Sequence, residues 1–240
     1  MKCITEKKLF FKKTNCWFAD EPFDVKDCDA VFFYATKKDV STTNFYKKES
    51  PTLVIDLTKD LDTIFGKMKK KSCRYLIKRG QREGIKVELN RHHHEFQLLY
   101  NRFSRSKRFS GFSGHIKDYM GHSTLFTASL DEELLAGILT IEDERHIRWL
   151  LGCSKRLEVN KEKMALVGAA NRLLIWEAIQ YAHRRGLVEF DFGGYYTGGD
   201  QNDPRNNINR FKESFGGEFR TYYNYTKYYS LVYKWAKSVL

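Results

Sequence analysis

The chain has 240 residues, 42% of them apolar and 15% aromatic, and a formal net charge of +12 at pH 7. This composition excludes an intrinsically disordered chain, and the length fits one large domain or two small ones. No apolar run approaches the roughly 18 residues of a membrane span, and the basic N-terminal stretch lacks the apolar core of a secretory signal. Five scattered cysteines without CxxC spacing predict reduced thiols rather than a disulfide framework or a zinc site, and hence a cytoplasmic protein.

The first 50 residues give short, irregular patterns, in which AVFFYAT (30–36) is the clear strand. SPTLVIDL (50–57) predicts the next strand, and Thr58 is predicted to be the N-cap of the helix that follows it. Further along, IKVEL (85–89) predicts a strand, and a helix is expected over residues 92–107. The three consecutive histidines at 92–94 point about 100° apart on a helix and cannot converge on one ion, so no metal is expected.

Residues 67–83, KMKKKSCRYLIKRGQRE, carry eight basic side chains and one acidic one. A helix is predicted over residues 72–82, on which Arg74, Lys78 and Arg82 follow one another at i, i+4 and i+8 and share one stripe. One interpretation is that this stripe contacts the phosphates of a nucleic acid, a cofactor or an anionic surface. The other is a solvated helix face that keeps the protein soluble.

The middle of the chain changes to an alternating pattern that predicts three antiparallel strands, at residues 122–131, 132–143 and 145–154. A long helix over residues 163–185 then leads to a buried strand, LVEFDF (187–192), and the crossover rule makes this strand parallel to the third one. A short helix (208–214), a strand (219–225) and a basic C-terminal helix follow. This order predicts the α/β class, with a mixed central sheet and flanking helices.

Three segments together resemble a known family: RYLIKRGQREGIKVEL, LIWEAIQYAHRRGLVEFDFGG and INRFKESFGGEF. In this order they are similar to the FemABX-like branch of the GNAT superfamily, which comprises the aminoacyl-tRNA-dependent peptidoglycan bridge-forming transferases and their single-domain acyltransferase relatives. The resemblance covers roughly residues 50 to 230. It implies a GNAT-like acyltransferase domain at 51–240 and a small N-terminal extension at 1–50, a remnant of a first GNAT-like domain.

The resemblance implies an N-acyltransferase that moves an aminoacyl or acyl group from an activated donor to an amine, in cell-wall, polysaccharide or peptide biosynthesis. No tightly bound cofactor and no DNA partner are expected. Acetyl-CoA-dependent GNAT enzymes carry a Gln/Arg-x-x-Gly-x-Gly/Ala loop, but Ala165 stands here three residues before Gly168. This departure favours aminoacyl-tRNA as the co-substrate. The alternatives are an acyl-CoA-dependent N-acetyltransferase and a non-catalytic module that binds RNA or an anionic surface.

In the family that the chain resembles, the lysine of the closing Arg-Phe-Lys segment is implicated in catalysis. This lysine corresponds to Lys212, which is expected to stabilise the oxyanion of the tetrahedral intermediate, while Phe211 shapes the pocket beside it. Without the resemblance, the residues favour a solvated lysine on a surface helix whose inward residues are Ile208, Phe211 and Phe215.

Asp191 ends a buried strand, where α/β proteins often build their sites. It is predicted either to accept a proton or orient the acceptor amine, or to cap the next turn through an Asx bond. The tyrosines that follow are expected either to line the acceptor pocket or to pack within their loop. The further residues assigned to substrate binding are Gly193, Gly194, Tyr195, Tyr196 and Arg210.

Overall fold

The computed structural model of the chain describes residues 1–8, 10–107 and 119–239. Its strands are β1 Lys2–Lys8, β2 Phe11–Trp17, β3 Ala30–Thr36, β4 Tyr46–Asp56, β5 Lys86–Leu89, β6 Ser123–Leu130, β7 Glu133–Glu142, β8 His146–Ser154, β9 Glu189–Gly194 and β10 Glu218–Tyr228. Its helices are α1 Leu61–Lys67, α2 Tyr75–Arg82, α3 His93–Lys107, α4 Lys161–Arg184, α5 Arg205–Glu213 and α6 Leu231–Val239. The predicted α/β class is therefore confirmed.

The chain folds as two compact units. The first comprises residues 1–52, 194–199 and 219–240, and the second comprises residues 53–193 and 200–218. The predicted division into a 1–50 extension and a 51–240 domain stays a prediction. Among the described residues, no helix has both the length and the apolar character needed to cross a bilayer.

The first unit contains strands in the order β1-β2-β3-β10-β4. Strand β1 pairs antiparallel with β2 so that Cys3 stands directly opposite Cys16, and the two form a disulfide with a Cα–Cα distance of 4.1 Å. The prediction of five reduced thiols was wrong for this pair. The sequence spacing of the two cysteines gave no sign of the pairing, because only the register of the hairpin brings them together. Cys28, Cys73 and Cys153 are free thiols.

In the second unit the strands run in the order β4-β9-β8-β7-β6-β5. Strands β5 to β8 pair antiparallel, and β8 pairs parallel with β9, which confirms the predicted meander and crossover. Helix α4 packs on β6 and β7 and connects β8 to β9, ending before Gly186, where φ is +71°. Strand β9 therefore lies beside β8, and residues 189–191 of β9 pair with residues 146–148 of β8.

The segment between β4 and α2 differs from its prediction in two details. Asp60, and not Thr58, is the N-cap of α1, because its carboxylate accepts the Thr63 N–H at 2.8 Å. Thr58 instead donates its N–H to Asp56 at 3.0 Å. The helix predicted from residue 72 begins with a π-helical turn at Lys70–Arg74 and continues as α2.

Candidate active site

Helix α5 places polar side chains in the interior of the second unit. It begins earlier than predicted and buries Asn209 and Lys212, one turn apart on the same face, whereas Ile208 is 40% exposed. Phe215, just beyond the helix, is buried as expected. Lys212 itself is only 6% exposed, so it is not the solvated surface lysine of the simpler interpretation.

The amine of Lys212 lies at the carboxyl end of β9. Its Nζ atom donates a hydrogen bond to the carbonyl oxygen of Gly193 at 3.2 Å, and it lies 5.7 Å from the centre of the Trp149 ring. Burial lowers the pKa of Lys212 to about 8, and the positive charge of Arg148 adds to this lowering, while the negative charge of Asp191 opposes it. The group therefore changes charge close to neutral pH.

Asp191 is fully buried in β9 and is held from two sides. Its carboxylate forms an ion pair with Nη1 of Arg148 and accepts the N–H of Gly193 at 2.8 Å. The second contact is the Asx bond that the sequence offered as one of two roles for this residue. Gly193 follows in the left-handed region, with φ at +72°. Its carbonyl group is the acceptor for Lys212.

Strand β8 contributes two residues that the sequence analysis did not select, Arg148 and Trp149. In the parallel pairing of β8 with β9, Arg148 stands directly beside Asp191. A signal was present in the sequence, because a charged residue within an apolar strand requires a buried partner of opposite charge. Trp149 donates its ring N–H to the carbonyl oxygen of Leu151 at 2.7 Å, which fixes the orientation of the indole.

Aromatic rings pack around Phe211, the residue before Lys212. The half-buried Phe211 ring lies 6.3 Å from the centre of Trp149 and 5.4 Å from that of Phe215, and Phe215 in turn contacts Phe192 of β9. Phe211 also lies beneath the guanidinium group of Arg172 from α4, at 5.0 Å. Phe211 is thus packed against Trp149 of β8 and Arg172 of α4. Its predicted role in shaping a pocket stays a prediction.

The remaining predicted substrate residues are placed as follows. Gly194, Tyr195 and Tyr196 belong to the first unit, where Tyr195 donates its N–H to Pro51 at 2.7 Å and packs its ring against Phe219. In the second unit, the side chains of Lys78, Arg82 and Arg210 are exposed, and Arg74 is half-buried. A substrate role for these residues stays a prediction.

The sequence matches the family model described as "Acetyltransferase (GNAT) domain" over residues 67–213, more than half of the chain. The chain belongs to the GNAT family. It is an acyltransferase, and the predicted enzyme class and GNAT-like fold are confirmed. Among curated proteins, none matches the sequence.

Two solved structures are similar to this GNAT chain. The crystal structure of FemX gives a TM-score of 0.65 at 13% identity, over 98% of this chain and 85% of FemX. The structure of L-PGS from Bacillus licheniformis gives a TM-score of 0.54 at 17% identity, over 85% of this chain and 70% of that one. At these identities the similarity shows a shared fold. The likeness to FemX agrees with the predicted resemblance to the FemABX-like branch.

Residues 155–171 correspond to the phosphate loop of acetyl-CoA-dependent GNAT enzymes, and from Lys161 onward they form the beginning of α4 in this GNAT chain. Gly168 lies buried within α4, two turns after the helix begins. At the start of α4 the side chain of Asn160 accepts the N–H of Lys163 at 3.0 Å. A side chain of the protein itself thus caps this helix end. The geometry of this helix therefore differs from a glycine-rich loop whose amides cradle a phosphate.

Two other features of the second unit lie outside the candidate site. A pocket is lined by residues of β4, α1 and the segment after α5, among them Phe215 but not Lys212. Within the described ranges, no group of three or more His, Cys, Asp or Glu side chains is arranged to hold a metal ion. Of the three consecutive histidines, His92 contacts Glu88 at 2.9 Å and His94 is exposed.

Proposed function

We propose that this GNAT domain transfers an aminoacyl or acyl group to an amine at a site centred on Lys212. The observation that supports this is a buried amine with a lowered pKa, fixed beside the end of β9 on an acyltransferase fold. Perturbed titratable groups at strand ends of α/β folds are frequent at functional sites.

In the proposed reaction the neutral acceptor amine attacks the carbonyl carbon of the donor ester or thioester, and a C–N bond forms. The carbonyl oxygen becomes an oxyanion in the tetrahedral intermediate. The bond to the donor oxygen or sulfur then breaks, and the proton lost by the amine balances the one gained by the leaving group. Both reactants are bound together, and no covalent enzyme intermediate forms.

Lys212 in its ammonium form is proposed to stabilise that oxyanion. An ammonium in a poorly solvated site stabilises developing negative charge more than the neutral ground state, which is the condition for acceleration. Burial is the main cause of the lowered pKa of this amine, and Arg148 and Asp191 adjust that pKa with opposite charges. Trp149 and Phe211 exclude water from its surroundings.

We favour aminoacyl-tRNA as the donor, so that tRNA is a partner of the protein. Support comes from the helical phosphate-loop region, from the net charge of +12, and from the fold shared with FemX and L-PGS. The acceptor is proposed to be an amine on a cell-wall precursor, polysaccharide or peptide, in the cytoplasm or at an anionic surface. The second candidate is acetyl-CoA-dependent N-acetylation, which the acetyltransferase description of the matching family favours.

Parallel binding measurements with the full chain separate the two donors. Calorimetry with acetyl-CoA is run beside a filter-binding assay with charged tRNA, and binding of the charged tRNA alone is expected.

Lys212→Met is expected to keep donor binding and to lower turnover about 100- to 1,000-fold, the usual effect of removing one oxyanion donor. Lys86→Met, at an exposed position on β5, is the control. Full turnover by Lys212→Met would contradict the proposed site.

A further inference from the structure

Two arginine side chains approach one point beside Gly168 on α4. A Cβ atom built on Gly168 would lie 3.5 Å from Nη1 of Arg156 and 3.8 Å from Nη1 of Arg172. Arg156 extends from the turn after β8, and Arg172 lies one helical turn after the glycine. Both guanidinium groups therefore lie next to the position that a side chain at residue 168 would occupy, and Arg156 is exposed while Arg172 is half-buried.

The charges of these two arginines are not neutralised within the described part of the chain. The recorded hydrogen bonds of Arg172 go to neutral carbonyl groups, those of Ser72 and of Gly168, the latter at 3.0 Å. Burial lowers the pKa of Arg172, and the nearby charge of Arg156 lowers it further. Two cations side by side form an arrangement that a bound anion would stabilise.

The turn that accepts the Arg172 hydrogen bond is itself strongly basic. Ser72 belongs to the π-helical turn Lys70–Arg74, in which Lys70 and Lys71 are exposed. In the same turn the Nε atom of Arg74 is buried, and the described residues provide no hydrogen-bond partner for it. π-Helical turns often occur at functional sites, and this one combines positive charge with a donor that lacks an acceptor.

We propose that Arg156, Arg172 and the basic turn at residues 70–74 bind a phosphate group of the acyl donor. The inference rests on the proposed function and adds the residues that hold the donor. Guanidinium groups bind phosphate through two parallel hydrogen bonds, and lysines on the turn add charge. Arg172 connects this site to the candidate catalytic helix, because its guanidinium group stacks on Phe211. The site uses the flank of α4 and not the amides at its N-terminus.

Calorimetric titration of the full chain with inorganic pyrophosphate tests the site. Arg156→Gln is expected to weaken binding about tenfold or more and to flatten its salt dependence, because charge-assisted hydrogen bonds are lost. Arg184→Gln is the matched control, since Arg184 is exposed on the same helix. It is expected to change affinity less than about twofold, because it lies roughly 24 Å along the helix from Gly168, beyond the distance at which a surface charge is screened.

Gly168→Ala separates binding from folding. The added methyl group would meet the two guanidinium groups at ordinary contact distances, and alanine is the better helix former. The variant is therefore expected to unfold at a higher temperature than the parent chain and yet to bind pyrophosphate more weakly. Wild-type affinity in this variant, or equal losses in Arg156→Gln and Arg184→Gln, would overturn the proposal.

Competition experiments identify which kind of donor carries the phosphate group that this site binds. Coenzyme A and a short RNA oligonucleotide ending in CCA are each used to displace pyrophosphate. Displacement by the oligonucleotide supports a tRNA donor, and displacement by coenzyme A supports an acyl-CoA donor. Displacement by neither contradicts a donor site. Lys212→Met is expected to bind pyrophosphate normally, so its turnover tests the proposed function independently of this site.

Discussion

Lys212 donates a hydrogen bond to the carbonyl oxygen of Gly193, which lies 3.2 Å away and 19 residues earlier in the chain. This contact ties α5 to the end of β9 and holds the amine out of solvent. The pKa of about 8 follows mainly from that burial. The contact therefore fixes where the charge lies, while burial of the side chain lowers the pH at which that charge is lost.

The first prediction concerns the pH dependence of turnover. If Lys212 stabilises an oxyanion as an ammonium, its contribution to kcat/KM is fully present below its pKa of about 8 and is lost as pH rises through that value. Lys212→Arg keeps the positive charge at all accessible pH values, so its lower activity should lose this basic limb. Rates measured from pH 6 to 10 in both proteins provide the check. The titration of the acceptor amine is common to both proteins and cancels in the ratio of their rates, so a wild-type to Lys212→Arg ratio that rises through pH 8 would indicate that the neutral Lys212 amine acts as a base.

The second prediction concerns stability and uses the same lowered pKa of Lys212. The folded-state pKa of Lys212 lies below the 10.5 of a lysine in the unfolded chain, so the unfolded chain binds more protons between about pH 8 and 10.5. Stability of the wild type should therefore rise with pH in this window relative to Lys212→Met, by on the order of 2 to 3 kcal/mol. Urea unfolding of both proteins at pH 7.5 and pH 10.5 measures the difference. A constant difference between the two proteins would show that the amine is not desolvated.

The third prediction addresses the buried pair of Arg148 and Asp191. Asp191→Asn leaves Arg148 without its partner, and Arg148→Met leaves a fully buried carboxylate, so each should cost about 3–5 kcal/mol of stability. The double variant should cost clearly less than the sum of the two, because no unpaired charge remains. Denaturant unfolding of the four proteins measures the coupling, and simple additivity would argue against the pair.

The same variants give a functional readout that loss of stability cannot imitate. Asp191 raises the pKa of Lys212, and Arg148 lowers it. The basic limb of the activity profile should therefore move to lower pH in Asp191→Asn and to higher pH in Arg148→Met. Shifts in the same direction would show that the pair does not control the charge of Lys212.

The regular elements of the second unit followed from the sequence because their patterns are local. The alternation in β6 to β8 and the long apolar period of α4 with its terminal Gly186 fixed these elements to within a few residues. The parallel pairing of β8 with β9 then followed from the handedness of crossovers. Such inferences need only the pattern and general geometric rules.

The site was predicted less completely, because its key features arise from pairing between distant segments. Arg148 meets Asp191 only through the register of two strands, and periodicity alone placed Ile208 inward on α5 in place of Lys212. The π-helical turn before α2 and the Cys3–Cys16 disulfide have the same origin. At these positions tertiary contacts, and not local sequence propensities, determine the structure.

The fourth prediction concerns the Gly216-Gly217 pair that follows α5. Gly216 has φ at +75°, and an added Cβ would lie 2.6 Å from the carbonyl oxygen of Lys67, while one on Gly217 would lie 2.9 Å from that of Val54. The chain at these two glycines therefore passes close to the backbone of Lys67 and of Val54. Gly216→Ala should therefore lower stability by about 2 kcal/mol or more through strain and collision.

The control for this substitution is Gly66→Ala, one residue before Lys67. Gly66 is exposed in α1, and a Cβ there meets nothing within 4 Å. The same chemical change should raise stability by up to about 1 kcal/mol because alanine favours the helix. Thermal unfolding of the two variants should show shifts of opposite sign. Equal behaviour would mean that Gly216 is not held against the Lys67 backbone.

The last prediction tests the basic stripe for contacts with donor phosphates. Lys78 is exposed on α2, so Lys78→Glu should leave folding intact, weaken binding of charged tRNA and reduce the slope of log affinity against log salt by about 1 or more. Arg74 is half-buried, so the milder Arg74→Gln is used there, with a similar expected loss. Lys86→Glu, an equal charge change on the exposed strand β5, controls for the overall charge of the protein. If the stripe is only a solvated face, Lys78→Glu and Lys86→Glu will weaken binding equally, because both then act through net charge alone.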